Sequence, residues 1–303
     1  MADKVKLLVI AGATATGKTS LSVELAKRLD GEVICADSMQ IYDKLLVGTA
    51  RPTSGEMQGI PHHLMGFLAP EKRFSVAEYV ELASKCIDEI SSRGKQPIIT
   101  GGTGLYIQSL TDGVKFTQQD TDLSVREALS AETNEQLYER LLKLDAEYAK
   151  TLHPNNRKRV MRAVELYIQT GTTMTQQLAN SVPTERPYDD YIAVLDYETR
   201  DALYDNINKR VDVMLKNGLL NEAKLVLENR ESYVTAAQAI GYKEFFPYFE
   251  NEQSLEQCTE KLKQATRNYA KRQLTWFNRM KNAMHYKAAC AQTSELIYND
   301  FIK

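Results

Sequence analysis

Gly12–Thr19 has the sequence Gly-Ala-Thr-Ala-Thr-Gly-Lys-Thr and fits the pattern G-x-x-x-x-G-K-[ST] at every fixed position. The short apolar run Leu7–Ala11 (LLVIA) precedes it, and Lys18–Leu29 follows it with the spacing of an amphipathic helix. A strand that enters a helix through a glycine-bearing turn is the context in which this motif binds phosphate. The stretch therefore predicts a site for a diphosphate or triphosphate, but it does not indicate what happens to that group.

The residues of this motif have separate predicted tasks. The Lys18 ammonium is expected between two phosphates, and the Thr19 hydroxyl is a candidate ligand for Mg²⁺, the predicted cofactor. Glycines allow the backbone to curl so that successive N–H groups meet an anion. The predicted phosphate-binding residues are Gly12, Ala13, Thr14, Ala15, Thr16, Gly17, Lys18 and Thr19.

Apolar runs and helical spacings alternate along the first hundred residues. Glu32–Ala36 (EVICA) and Pro97–Thr100 (PIIT) have the length of buried strands, and Val76–Ser92 between them has helical spacing. This alternation predicts an α/β fold, a P-loop NTPase-like core in which helices flank a parallel sheet. Binding sites in such folds gather at the carboxyl ends of the strands.

The pattern changes after about residue 115. Helical periodicity without a strand candidate extends from 120 to 181, and Asn180–Tyr191 then breaks it with two prolines. Tyr191–Leu195 (YIAVL) is typical of a returning strand. We therefore expect an all-helical insertion domain at residues 116–188, within a core formed by 1–115 and 189–303. The rest of the core is expected to be helical, over 200–217, 219–230 and 254–282.

Asp37 follows the predicted strand Glu32–Ala36, so its carboxylate is expected to face the phosphate site. An aspartate there can accept the proton of an attacking group or hold Mg²⁺ through water. The alternative is an aspartate that only caps a helix or a turn. His62 and His63 lie in a loop without a third ligand at suitable spacing, which argues against a metal site.

Composition limits the classes of function. The net charge is −2, so any RNA-binding surface must be local. The 4 cysteines are scattered without metal-ligand spacing, and they are expected to be reduced thiols. The apolar run at the N-terminus is too short for a signal peptide or a membrane span, so a cytoplasmic protein without membrane attachment is expected.

Two stretches are locally basic. Residues 155–162 (NNRKRVMR) contain four basic residues and no acid, and 261–287 contain eight lysines and arginines without an aspartate or glutamate. Four aromatic residues are interleaved in the second stretch: Tyr269, Trp276, Phe277 and Tyr286. Basic helices with aromatic residues suit phosphate contact and base stacking. The alternative, a solvated helix face whose aromatics pack inward, stays open for Trp276 and Phe277.

Beyond these motifs, the chain resembles the tRNA dimethylallyltransferases over nearly its whole length. The stretches that carry the resemblance are GATATGKTSL at 12–21, ADSMQIYDKLLVGTARP at 36–52, PHHL at 61–64, FSVAEY at 74–79, GGTGLYIQSL at 101–110, HPNNRKRVMRAVEL at 153–166, RVDVMLKNGLLNEA at 210–223, QAIGYKE at 238–244 and YAKRQLTWF at 269–277. Residues 115–122 (KFTQQDTD) depart from the family pattern, because they lack the prolines that relatives often carry.

The resemblance implies a reaction and a role for each matching residue. Dimethylallyl diphosphate would lie in the P-loop, with its diphosphate and Mg²⁺ on Lys18 and Thr19, and the acceptor would be an adenosine beside the anticodon of tRNA. Asp37 would be the general base at the adenine N6 amine, and Arg210 would assist at the active site. The residues implied to contact tRNA, chiefly its anticodon stem-loop, are Asp37, Ser38, Met39, Gln40, Thr103, Arg126, Lys158, Arg159, Val160, Met161 and Arg162. The protein is expected to act as a monomer.

The chemistry is consistent with these residue types. In a displacement at an allylic carbon, Lys18 and Mg²⁺ would stabilise the leaving diphosphate. The amine is a poor nucleophile, and proton removal by Asp37 would raise the reaction rate on the order of 10²–10⁴-fold. An adenine of a single-stranded loop can be splayed out, and Ser38 and Gln40 offer polar groups to read it. The helical insertion could close over the RNA.

Three other functions are weighed against this one. A small-molecule kinase would use the same phosphate site and Asp37, but it leaves the basic stretches unexplained. Dimethylallyl transfer to free AMP or ADP would share both the P-loop and the base, and the basic stretches favour the larger acceptor. A non-catalytic RNA-binding protein would leave Lys18, Thr19 and Asp37 without a task.

Overall fold

The computed structural model describes residues 4–115, 123–181, 183 and 185–303. Its strands are β1 (Lys6–Gly12), β2 (Gly31–Cys35), β3 (His62–His63), β4 (Gln96–Gly101), β5 (Asp189–Asp196) and β6 (Ala283–Lys287). They form a six-stranded parallel sheet in the order β3-β2-β4-β1-β5-β6. The four strands predicted from apolar runs are β1, β2, β4 and β5, and the α/β prediction is confirmed.

Helices account for most of the remaining elements. Within the described residues they are α1 (Lys18–Arg28), α2 (Ser54–Met57), α3 (Val76–Ser92), α4 (Gly104–Thr111), α5 (Leu123–Ser130), α6 (Asn134–Leu144), α7 (Ala146–Ala149), α8 (Arg157–Thr170), α9 (Met174–Ser181), α10 (Arg200–Lys216), α11 (Leu219–Glu228), α12 (Phe246–Phe249), α13 (Leu255–Phe277) and α14 (Thr293–Ile302). Local capping explains two of the starts. Ser75 before α3 and Ser254 before α13 each form a capping box with the third residue of the helix.

Both faces of the sheet are buried. In β1, Leu7 and Val9 belong to the core under α3 and α4, whereas Leu8 and Ile10 belong to the core under α1 and α14. A strand that is covered on both faces needs apolar side chains at consecutive positions. This is why β1 is visible in the sequence as an unbroken apolar run.

The chain forms two compact units, residues 1–111 with 187–303, and residues 112–186. The second unit contains helices α5 to α9 and a separate core around Leu137, Leu141 and Val160. Its boundaries differ by a few residues from the insertion expected at 116–188. The residues at the expected start, 116–122, lie outside the described residues, and this includes most of the stretch that departs from the family pattern.

Two edge strands differ from the sequence-based prediction. Residues 283–287 form β6 beside β5, and β3 lies in the segment for which the sequence predicts a loop. Both were missed because edge strands are short and half-exposed, so they lack the apolar pattern of central strands. In the described part of the chain, no helix combines the length and apolarity that a membrane span requires.

Candidate active site

A cavity of about 660 Å³ opens at the carboxyl ends of β1, β2 and β4. The P-loop forms one wall, and Asp37, Arg210 and Gln273 also line the cavity. Each of these groups comes from a different segment of the chain. The cavity therefore lies at the edge of the sheet where the sequence predicts the site.

The P-loop holds a conformation that only particular residues allow. Gly12 has φ 144°, and a Cβ there would lie 2.6 Å from the Leu195 carbonyl oxygen. Gly17 begins α1 at φ 84°, and Ala15 also has a positive φ of 65°. The Thr16 hydroxyl is buried and donates to the Ala13 carbonyl at 2.8 Å, so its side chain braces the loop.

Lys18 is turned back over this loop, with Nζ donating to the Ala13 carbonyl at 2.5 Å. The pKa of Lys18 is lowered to about 7, because burial and the nearby Arg210 guanidinium disfavour its charge more than Asp37 favours it. Burial also lowers the pKa of Arg210, against the opposing effects of the Asp37 and Glu56 carboxylates. The positive charges of Lys18 and Arg210 repel each other, and a bound polyanion would relieve this repulsion.

Asp37 lies two residues beyond the end of β2. Its Oδ1 accepts hydrogen bonds from the backbone N–H groups of Met39 at 2.9 Å and Gln40 at 3.4 Å. The carboxylate therefore caps a turn, as the alternative interpretation held. Because one oxygen makes both bonds, this role leaves Oδ2 outside the turn, and Asp37 still acts electrostatically on Lys18 and Arg210.

Thr103 fastens the Asp37 turn to the end of β4. Its Oγ1 accepts a hydrogen bond from Ser38 N at 3.0 Å, and its own N–H donates to the Ala36 carbonyl at 3.1 Å. Gly101 allows this approach, since a Cβ there would lie 2.1 Å from the Ala36 oxygen. Thr103 was implied to touch tRNA, and the structure adds that it positions the backbone beside Asp37.

Gln273 of α13 was missed by the sequence analysis. Its Oε1 accepts from Thr14 N at 2.9 Å and its Nε2 donates to the Gly102 carbonyl at 2.9 Å, so one amide joins the P-loop to the turn after β4. A Cβ at Gly102 would lie 2.2 Å from that Nε2. The available signal was a polar residue on the buried face of α13, between Ala270 and Phe277.

Ser38, Met39 and Gln40 line the same cavity. Gln40 Nε2 donates to the carbonyls of Thr49 and Ala50, both at 3.2 Å. Its amide hydrogens therefore hold a cavity wall. Met39 packs partly against the core under α11, and Ser38 is half-buried beside Asp37.

The cavity also has an apolar wall. Ile207, Val211 and Met214 line it from α10, and Leu262 lines it from α13. The sequence did not identify this wall, since these side chains belong to ordinary amphipathic helices. Their position beside a polyanion site suits a ligand that has a charged head and a hydrocarbon tail.

The loop at 46–48 is held by a carboxylate. Glu222 of α11 accepts hydrogen bonds from the N–H groups of Leu46, Val47 and Gly48 at 2.8–2.9 Å. Tyr242 also donates to Glu222 at 2.6 Å, and its ring lies where a Cβ of residue 48 would stand. This contact brings the stretches VGTARP at 47–52 and QAIGYKE at 238–244 together in the folded chain.

His62 and His63, which lie in β3, both have hydrogen-bond partners in the structure. His63 Nε2 lies 2.7 Å from Glu32 Oε2, which also accepts from Arg93, and His62 Nδ1 lies 2.8 Å from the Ile60 carbonyl. Among the described residues, no cluster of three metal-binding side chains occurs. The 4 cysteines are free thiols in the structure.

The basic stretch of the helical unit contains residues of different kinds. Lys158 and Arg159 are exposed on α8, whereas Val160 is fully buried in the core of the unit and Met161 packs partly against it. Direct contact of the Val160 side chain with RNA is therefore excluded by its burial. Arg162, together with Arg126 of α5, forms ion pairs with Glu165.

Some of the cations in the second basic stretch, residues 261–287, are paired with acidic side chains. Lys263 pairs with Asp212 and Arg267 with Glu260. Phe277 is fully buried, and Trp276 packs against Gly104, where a Cβ would lie 2.4 Å from the indole. The inward-packing alternative is therefore correct for both aromatics. Tyr286 is also engaged, with hydrogen bonds to Tyr191 and Asp300.

Comparisons with known proteins agree on one family. A family model described as IPP transferase matches residues 40–280. A protein of Caldanaerobacter subterraneus named tRNA dimethylallyltransferase is 46% identical over 279 residues, which are 90% of this chain and 89% of that protein. A Bacillus mycoides protein of the same name is 45% identical over 297 residues, 96% of this chain and 93% of its own length.

Solved structures lead to the same family. The full-length tRNA isopentenylpyrophosphate transferase of Bacillus halodurans is similar with a TM-score of 0.74 and 40% identity, over 99% of this chain and 96% of that one. A eukaryotic dimethylallyltransferase described as acting on tRNA has a TM-score of 0.83 and 31% identity, over 98% of this chain and 79% of its own.

Proposed function

This chain belongs to the IPP transferase family, and from that premise we propose that it transfers the dimethylallyl group of dimethylallyl diphosphate to N6 of the adenosine beside the anticodon in tRNA. It is an enzyme, a prenyl transferase that modifies tRNA, and diphosphate is the second product. The observation that carries the detailed proposal is the convergence of Lys18, Arg210 and Asp37 on a cavity that also has an apolar wall.

The diphosphate is bound by the P-loop in this proposal. Backbone N–H groups of the loop and the N-terminus of α1 point at the anion, and Lys18 leaves the Ala13 carbonyl to meet it. Arg210 supplies the second positive charge. Both cations are destabilised in the free protein, and the charge that develops on the leaving diphosphate relieves them, which stabilises the transition state.

Mg²⁺ is the proposed cofactor, and the residues present fit it. Thr19 and Asp37 both line the cavity, and their side chains carry oxygen atoms of the kind that Mg²⁺ prefers as ligands. When bound together with the diphosphate, the ion supplies charge neutralisation at the leaving group. Phosphate oxygens would complete its coordination, which is consistent with the lack of a protein-only metal cluster among the described residues.

Asp37 is the proposed general base. Its Oδ1 is held by the N–H groups of Met39 and Gln40, which orients the carboxylate and leaves Oδ2 to accept the proton of the adenine amine. Thr103 keeps the turn in place through Ser38. The dimethylallyl tail is proposed to lie on the apolar wall, where water is excluded from the reacting carbon.

The acceptor is a macromolecule in this proposal. The exposed cations Lys158 and Arg159, with Arg126 and Arg162, are the proposed phosphate contacts in the helical unit. We further propose that the enzyme is cytoplasmic, because tRNA serves in translation in that compartment, and that it is a monomer.

The test is transfer of radiolabel from dimethylallyl diphosphate to three acceptors: an anticodon stem-loop RNA, the same RNA with its target adenosine replaced, and free AMP. Label should enter the first RNA alone, in a Mg²⁺-dependent reaction. The isosteric variant Asp37→Asn should lower kcat on the order of 10²–10⁴-fold. Label on AMP would favour the free-nucleotide reaction, and ADP release from ATP with a hydroxyl acceptor would favour a kinase.

A further inference from the structure

A buried carboxylate lies beneath two arginines in the helical unit. Glu165 of α8 is 1% exposed, and its Oε2 accepts a hydrogen bond from Arg162 Nη1 at 3.2 Å. Arg126 approaches from α5, with Nε 3.7 Å from Oε1 of the same carboxylate. The two arginine side chains are 43% and 42% exposed. One buried anion therefore holds two guanidinium groups that also reach solvent.

Packing alone does not account for an acid at this position. Ala163, Val164 and Leu166, next to Glu165 in the sequence, are apolar and buried, so the buried carboxylate is the exception in this turn of α8. A buried carboxylate has a large desolvation cost, and apolar replacements of buried ion pairs are often neutral or stabilising. The cost here is incompletely offset, because Oε1 makes no hydrogen bond within the described residues.

We propose that Glu165 is a positioning residue for RNA, which orients Arg126 and Arg162 so that their guanidinium groups present a fixed pair of phosphate contacts. The inference rests on the proposed function, in which both arginines contact tRNA. A guanidinium binds phosphate through a planar fork, so its orientation matters more than that of a lysine ammonium. Arginines that are already oriented lose less conformational entropy when the RNA binds.

The neighbouring cations support a phosphate surface rather than an internal ion pair. Lys158 lies four residues before Arg162 and Arg159 lies three before it, so both share its side of the helix. Both are exposed. Several cations that are at least partly exposed and lie close together suit contact with the RNA backbone.

The test uses the substitution Glu165→Gln. A purely electrostatic role and a positioning role of Glu165 predict opposite changes in RNA affinity for this variant. It removes a negative charge beside a proposed RNA surface, so electrostatics alone predicts tighter binding. If Glu165 positions the arginines, the Kd for an anticodon stem-loop RNA should rise about tenfold, and the salt dependence of log Kd should lose a slope of about 1–2, the equivalent of one or two phosphate contacts. Glu165→Leu, which also removes the acceptor oxygens, should have the larger effect.

A matched control is Glu132→Gln. Glu132 forms an ion pair with Arg140 in the same helical unit, so its neutralisation changes the net charge equally without touching Arg126 or Arg162. RNA affinity should stay the same or improve slightly in this variant. The KM for dimethylallyl diphosphate and the melting temperature are measured for all variants, and the inference expects only the RNA affinity to fall.

The outcomes distinguish the positioning role of Glu165 from the proposed function of the protein. Unchanged or tighter RNA binding by Glu165→Gln, with wild-type protein that binds the RNA, would overturn the positioning role. Weaker binding that accompanies a lower melting temperature in both Glu165 variants would assign the residue to folding and would also overturn it. A wild-type protein that neither binds nor modifies the stem-loop RNA would instead overturn the proposed function.

Discussion

Lys18 should make diphosphate binding dependent on proton uptake. In the free protein its pKa is about 7, lowered by burial and by Arg210. A bound diphosphate would bring the pKa back towards the ordinary lysine value of about 10.4. Binding should therefore draw about 0.5 proton from solution at pH 7, about 0.9 at pH 8 and only about 0.1 at pH 6, because these are the fractions of Lys18 that must be protonated.

The affinity should change in parallel. Between pH 7 and pH 9 the protonated fraction of free Lys18 falls about 50-fold, and the Kd for inorganic diphosphate, relative to that of Lys18→Arg, should rise by about this factor. Proton uptake is measured by isothermal titration calorimetry in two buffers of equal pH and different ionisation enthalpy, without Mg²⁺. Lys18→Arg is the matched control, since arginine stays protonated. Equal proton uptake by the two proteins at pH 8 would refute the reasoning.

The same shift has a consequence for stability. The folded-state pKa of Lys18 lies below its unfolded value, so the unfolded chain binds more protons than the folded protein between about pH 7 and 10.5. The free energy of unfolding of the ligand-free protein should therefore increase as pH rises through this window. At pH 6 the buried charge is most costly. Lys18→Met should then raise the free energy of unfolding by about 1–3 kcal/mol, after allowance for partial exposure. Denaturant titration at pH 6 and pH 9 measures this, and an equal effect at both values would contradict it.

The remaining predictions concern contacts that hold the cavity together. Gln273→Ala removes both hydrogen bonds that join the P-loop to the turn after β4, and should raise the KM for dimethylallyl diphosphate about tenfold; an effect on kcat alone would argue against this role. Glu222→Ala removes three backbone hydrogen bonds and one from Tyr242, and should lower the free energy of unfolding by about 3 kcal/mol or more in denaturant titration. An unchanged unfolding midpoint would count against the proposed anchoring of the loop. Gly48→Ala places a Cβ 2.4 Å from the Tyr242 ring and should cost about 1–3 kcal/mol. Its control is Gly55→Ala, whose nearest contact would be 3.9 Å away, and equal melting temperatures for the two variants would disagree with the observed packing.

Local sequence determined a large part of this protein. The P-loop was predictable because every residue it needs lies within one turn between a strand and a helix. Strands β1, β2, β4 and β5 were visible because both faces of a central parallel strand are buried, which requires consecutive apolar residues. Asp37 could be placed at the site because it follows such a strand, and parallel strands end at the same edge of a sheet.

The tertiary structure decided which side chains support the site. Thr14 and Gln273 are 259 residues apart, and Glu222 reaches the loop at 46–48 across more than 170 residues. No local pattern encodes such pairs, because a polar side chain acquires its partner only when distant helices pack together. The basic stretch at 155–162 shows the same limit: Val160 faces a core and Lys158 faces solvent, although they are neighbours in sequence. Local periodicity limits which faces a helix can bury, but only packing selects the face that meets the core.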